Sequence, residues 1–174
     1  MGIFSDLIEN IEEQLATQKL LLEYAEKKNE LLVDGKIQEL EDLLKQEEKI
    51  VFKSGKLEQH REEIQKELRE KVDITADDPS REDPTLPDYI DASEGEEKDK
   101  LQELYEELTV VLAQLKELNE QNNQLIQQSL DYVNHALDLF TSAGKDPGTY
   151  SKGAKENKGN DDNQRRRNIL DKRI

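Results

Sequence analysis

Residues 101–140 read LQELYEELTVVLAQLKELNEQNNQLIQQSLDYVNHALDLF and keep a seven-residue repeat from end to end. Leu101, Leu104, Leu108, Val111, Leu115, Leu118, Leu125, Tyr132, Ala136 and Leu139 fall three and four residues apart, and polar Asn122 and Ser129 hold places in the same register. This is a helix seam. A second line, Tyr105, Leu112, Ile126, Val133 and Phe140, runs beside it at seven-residue spacing, broken only by Asn119. The apolar face is therefore wider than a two-stranded zipper needs, and the helix expects more than one partner. A buried Asn122 costs stability but penalises wrong registers and wrong oligomers. A sharper reading makes residues 119–124 the mouth of a cargo groove. Asn119, Asn122 and Ser129 are the polar register positions, and past residue 124 the side chains of Ile126, Leu130, Val133, Leu137 and Phe140 add to the seam until little of the last turns is polar. With Tyr132, whose ring packs while its hydroxyl stays wet, these apolar residues form the candidate cargo-binding face.

Working outward, Ile8, Ile11, Leu15, Leu22, Ala25 and Leu32 have heptad spacing once Gln18 and Asn29 are counted in the seam, which predicts a first helix over about 4–33. Asp34 and Gly35 punctuate it, and Ile37 opens the next apolar period at once, so the connection forces an antiparallel hairpin. The second helix, about 36–73, carries Leu43, Ile50, Leu57 and Ile64 at strict heptad spacing, and Ser54 and Gly55 weaken it locally. Residues 75–93 place Pro79, Pro84 and Pro87 among acids and hydroxyls. They read as a disordered acidic linker that contributes little to stability, with Leu86, Tyr89 and Ile90 as its one candidate docking motif. Ser93 and Glu96 have capping-box spacing and predict a third helix over about 94–142.

The expected architecture is thus all-α: residues 1–143 form an elongated antiparallel three-helix bundle or coiled coil, and 144–174 a disordered tail. That tail is basic, with Arg165, Arg166 and Arg167 ahead of Ile169, Leu170 and Ile174, whereas the chain as a whole carries a net charge of −16. It reads either as a solubilising end or as a short amphipathic segment.

With 33% hydrophobic against 38% charged residues, the chain cannot fill a broad globular core, but heptad helices need few apolar residues per turn. Absence of cysteine removes disulfides, thiolate metal sites and thiol nucleophiles, and suits a reducing compartment, with cytoplasm the default. No apolar run has the length of a membrane span, and the acidic field would repel phosphates, so the reading is of a protein partner rather than membrane or nucleic acid. Chemistry finds no residues. The two histidines, His60 and His135, lie far apart in sequence. Asp131, His135 and Asp138 share a face but lack the further ligands a helical metal site needs. GTYSKGAK, residues 148–155, misses the phosphate loop because Ala154 stands where Lys is required. No enzyme and no cofactor is expected.

Two stretches resemble the FlgN-type flagellar export chaperones: AEKKNELLVDGKIQELEDLLKQEEKI, residues 25–50, and LKELNEQNNQLIQQSLDYVNHALDLF, residues 115–140. The second is the more specific, through Leu118, Asn119, Asn122, Leu125, Ser129, Leu130, Tyr132, Val133 and Asn134. The resemblance covers roughly the first 143 residues. It implies a cytoplasmic, non-catalytic chaperone that binds the C-terminal helical segments of the hook-associated proteins FlgK and FlgL. Such a chaperone prevents their premature assembly and delivers them to the export gate and its ATPase components. A coiled-coil scaffold or tether, or a secretion chaperone for a different cargo, would share the heptads, and the surplus apolar surface also allows a homo-oligomer.

Overall fold

The computed structural model describes residues 3–72, 74 and 83–143, without the side chains of 142 and 143. These residues form four helices: α1 Ser5–Asp34, α2 Ile37–Lys71, α3 Leu86–Ala92 and α4 Gly95–Ala143. The fold is all-α. The chain divides into two units, Met1–Ala136 and Leu137–Ile174.

In the first unit, α1 ends where its sequence stops supplying helix formers. Gly35 takes a left-handed conformation, φ 67°, and its N–H bonds to the Leu32 carbonyl while that of Lys36 reaches back to Leu31 at 3.0 Å. This 6→1 and 5→2 pair satisfies carbonyls that a helix end leaves open. One residue later α2 begins, and the two helices pack antiparallel. Their polar contacts run in opposite directions along the two helices: Asn10 with the Leu57 carbonyl at 3.1 Å, Gln18 with Ser54 at 3.0 Å, and Lys28 with Glu47 at 2.6 Å. Residues Asn10 and Gln14 are buried, and both donate to the Leu57 carbonyl, which settles the desolvation cost of two amides with one acceptor. Helix α2 passes through Ser54 and Gly55 unbroken.

Contacts of α4 with α1 rise together in number, so these two helices run parallel. Glu97 accepts the N–H of Phe4 at 3.1 Å, Glu12 pairs with Lys100 at 3.1 Å, and Asn29 donates to Asn122 at 2.9 Å. The first of these contacts does local work, since α1 has no side-chain cap of its own and an acid on α4 takes one of its open N–H groups. One apolar cluster joins Leu7, Ile11 and Leu15 of α1, Ile64 and Leu68 of α2, Tyr89 and Ile90 of α3, and Leu101, Leu104, Leu108 and Val111 of α4. The heptad line of α2 is covered unevenly: Leu43 and Ile64 are buried, whereas Ile37, Leu44 and Val51 on another face stay exposed.

Two expectations are corrected here. The acidic linker is not disordered over its last part, because residues 86–92 are α3, with Tyr89 only 1% exposed in the core. The segment has its own capping box. The Asp88 carboxylate accepts the Thr85 N–H at 2.6 Å and the Thr85 hydroxyl at 2.8 Å, and Pro87 sits in the first turn where its missing N–H costs nothing. Ser93 does not cap α4 with Glu96. It is buried and donates its hydroxyl to the Ile90 carbonyl at 2.6 Å, closing α3, and Gly95 at φ 58° turns the chain into α4. The linker reading of residues 75–82 and the reading of 144–174 as a disordered tail lie outside the described residues.

Candidate functional site

Helix α4 is covered along its first half. Leu101, Leu104, Leu108 and Val111 are buried, and Leu115 and Leu118 half-buried. The cover ends at Asn122. Its side chain is 2% exposed, donates from Nδ2 to the Ala25 carbonyl at 2.9 Å and accepts from Asn29 Nδ2 at 2.9 Å. The Asn29–Asn122 contact joins two polar residues that the heptad registers of α1 and α4 each placed in the seam, so only one relative register satisfies both amides. The other members of the expected polar layer play lesser parts. Asn119 is half-buried, and Ser129 is exposed and returns its hydroxyl to the Leu125 carbonyl of its own helix at 2.9 Å.

The reason the cover stops is the length of α1. Asn29 lies beside Asn122, and α1 ends at Asp34. Because the helices run parallel at about 1.5 Å per residue, α1 has nothing to place opposite α4 beyond about residue 127. The next turns of α4 nevertheless stay apolar. Ile126 is at the margin, Leu130 is 51% and Val133 52% exposed, and Tyr132 is 76% exposed. Ile126, Leu130 and Val133 recur at four and three residues and so share one face. From Ile126 to Val133 no residue is buried. A row of exposed large apolar side chains at helical spacing is the surface an amphipathic helix of another chain fits, and scattered surface leucines do not make one.

Leu137 and Phe140 belong to the second unit, whose described part is the last two turns of α4. Both are exposed, as is Leu139 between them. Among the described residues no three His, Cys, Asp or Glu side chains gather as a metal would require, and no helix is long and apolar enough to cross a membrane.

Reasoning from the sequence missed the place of α3. Its signals were there: Thr85 and Asp88 at capping-box spacing, and Leu86, Tyr89 and Ile90 at the three- and four-residue steps of a helix face. Three prolines and the acidity of the surrounding segment outweighed them.

A family model described as FlgN protein matches residues 1–158. The chain is 30% identical over 134 residues to the uncharacterized protein YvyG of Bacillus subtilis (strain 168), an alignment spanning 77% of this chain and 78% of that protein. No solved structure matches. With the family model spanning the four helices and the hairpin that carries the first stretch of likeness, the chain belongs to the FlgN family of flagellar export chaperones.

Proposed function

We propose that this chain is a cytoplasmic export chaperone that holds the C-terminal helical segments of the hook-associated proteins FlgK and FlgL and passes them to the export gate. One observation carries the reading: Ile126, Leu130 and Val133 form an apolar face on a helix whose neighbour has ended. In this proposal the long helices make a three-helix antiparallel bundle that lacks a fourth member along the end of α4. A client's amphipathic helix completes it, hiding its own sticky face until release. Tyr132, more exposed than its neighbours, stands at the rim of that site, where a ring packs and a hydroxyl meets water or the gate.

The test is isothermal titration of the full chain with a C-terminal peptide of a hook-associated protein. Changing Leu130 and Val133 together to Ser is expected to weaken binding at least tenfold, since each buried Leu or Val side chain is worth about 1.5 to 3 kcal/mol before ordering costs. Far-UV circular dichroism should not change, because neither side chain is in the core. Val110, exposed on the same helix but alongside its covered half, is the control. Unchanged affinity with the fold intact would place the client elsewhere. Recovery of a stable assembly without export substrates from cytosol would favour a scaffold instead.

A further inference from the structure

Where the C-terminal part of α2 meets α3, a cleft of about 900 Å³ opens, lined among others by Arg61, Gln65, Lys66 and Arg69 of α2, by Asp83 and by Tyr105 of α4. Its volume is that of a small-molecule or peptide site. Arg61, Gln65 and Arg69 recur every fourth residue and so form one ridge of α2. Arg61, Lys66 and Arg69 bring three cations to a cleft whose wall also carries the acids Glu62 and Asp83.

The partners already present define what is missing. Arg61 bonds to Glu58 and donates to Gln65 Oε1 at 3.0 Å. That donation fixes the amide, because a guanidinium requires the oxygen, and Nε2 is then the donor. Gln65 is 8% exposed, and its Nε2 is buried with no acceptor among the described residues. The Tyr89 hydroxyl donates to the Gln65 backbone carbonyl at 3.2 Å, and its oxygen is not an acceptor for Nε2. Burial raises the Tyr89 pKa above its ordinary value and outweighs the opposing pull of Arg69 and Arg61, so that phenol stays a neutral donor. Arg69 already holds one carboxylate, exposed Asp83, at 2.7 Å. Lys66 has no ion pair among the described residues. The cleft thus shows one carboxylate bound within the chain itself, a spare ammonium, and a buried N–H that wants an acceptor.

We propose that this cleft binds an acidic peptide segment, a carboxylate of which takes Gln65 Nε2 and Lys66 as donors and shares Arg69 with Asp83. A free anion is too small for the space. Beside Glu62 and Thr85, the wall includes Tyr105 and Leu86 with the two prolines next to it, apolar surface that a peptide's flanking side chains cover. The site is separate from the apolar face of α4 and does not rest on the function proposed for it.

The experiment is fluorescence anisotropy of the full chain with a labelled hexapeptide that alternates leucine and glutamate, beside a twin in which glutamine replaces glutamate. The glutamate peptide is expected to bind roughly tenfold more tightly than its twin at low ionic strength. Lys66→Gln with Arg69→Gln, both at surface positions that leave the helix content intact, should remove most of that difference. Asp83→Asn, which removes the internal competitor, should raise affinity by about two- to fivefold. The side-chain amide resonances of Gln65 should move during the titration, whereas Leu130→Ser with Val133→Ser should leave binding of this peptide unchanged. Equal binding of the two peptides, an undiminished difference in the Lys66 and Arg69 variant, or full displacement by inorganic phosphate with no contribution from the leucines would each overturn the proposal.

Discussion

Two glycines of this chain look alike in sequence and differ in what they do. Gly35 has a positive φ that an L side chain adopts only with strain, whereas Gly55 lies within α2 where an added Cβ would meet nothing. Gly35→Ala should therefore destabilise by about 1 to 2 kcal/mol. Gly55→Ala should stabilise by about 0.5 to 1 kcal/mol, raising the thermal midpoint by roughly 1 to 4 °C. Thermal denaturation of the two variants checks both signs at once. A third residue sets a pH response. The hydrogen bond from Arg61 lowers the Glu58 pKa below its ordinary 4.5; burial opposes it, and the charge of Arg61 and a hydrogen bond from Gln14 add to the lowering. A carboxylate depressed on folding contributes stability above its unfolded pKa and loses it as pH falls through the folded value. Glu58→Gln should accordingly flatten the fall in thermal midpoint below about pH 4.5, modestly, because Glu58 is half exposed. An identical pH profile in the variant would show that the pair is screened out in solution.

At the scale of elements, α3 changes what the segment before α4 is for. Were it plain linker, its removal would leave stability almost untouched, because loop-closure entropy varies only with the logarithm of length. Tyr89 and Ile90 instead lie in the same cluster as Leu68 and Leu101. Tyr89→Ala should cost about 3 to 5 kcal/mol, the usual result of emptying a buried aromatic site, and urea denaturation would measure it. A loss below about 1 kcal/mol would mean that α3 docks only loosely. Helix α4 obeys a different economy. Its repeat is equally apolar before and after Asn122, but only the first half is buried. Removing leucines from the two halves should therefore affect stability in one case and binding in the other.

For the whole molecule, the dominant physical fact is charge. With 41 acidic against 25 basic residues, like charges crowd the helix surfaces. Among the described residues most ion pairs that offset them are exposed and worth little, Lys28–Glu47 being the most enclosed at 13% and 15% side-chain exposure. Self-repulsion should outweigh these pairs. Adding salt, which shortens the screening length from about 30 Å at 0.01 M to about 8 Å at 0.15 M, is expected to raise the thermal midpoint. A midpoint that falls with salt would show that the ion pairs dominate after all.

The amino-acid sequence by itself determined the helical class, the reversal at Gly35, and which residues of 101–140 are apolar, because helix periodicity and glycine conformation are local properties. It also marked Asn29 and Asn122 as polar places in two seams, which the fold then brought into one hydrogen bond. Only tertiary structure decided how far that seam is covered. A heptad repeat carries no record of where its neighbour ends, and it is the last residue of α1, Asp34, that leaves Leu130 and Val133 exposed. The same holds for α3 and the cleft beside it. Arg61, Gln65 and Arg69 at four-residue steps read as an ordinary polar helix face until the fold packs Tyr89 beside them and buries the Gln65 amide without an acceptor for Nε2. Burial of that kind depends on contacts between distant segments, which no local pattern encodes.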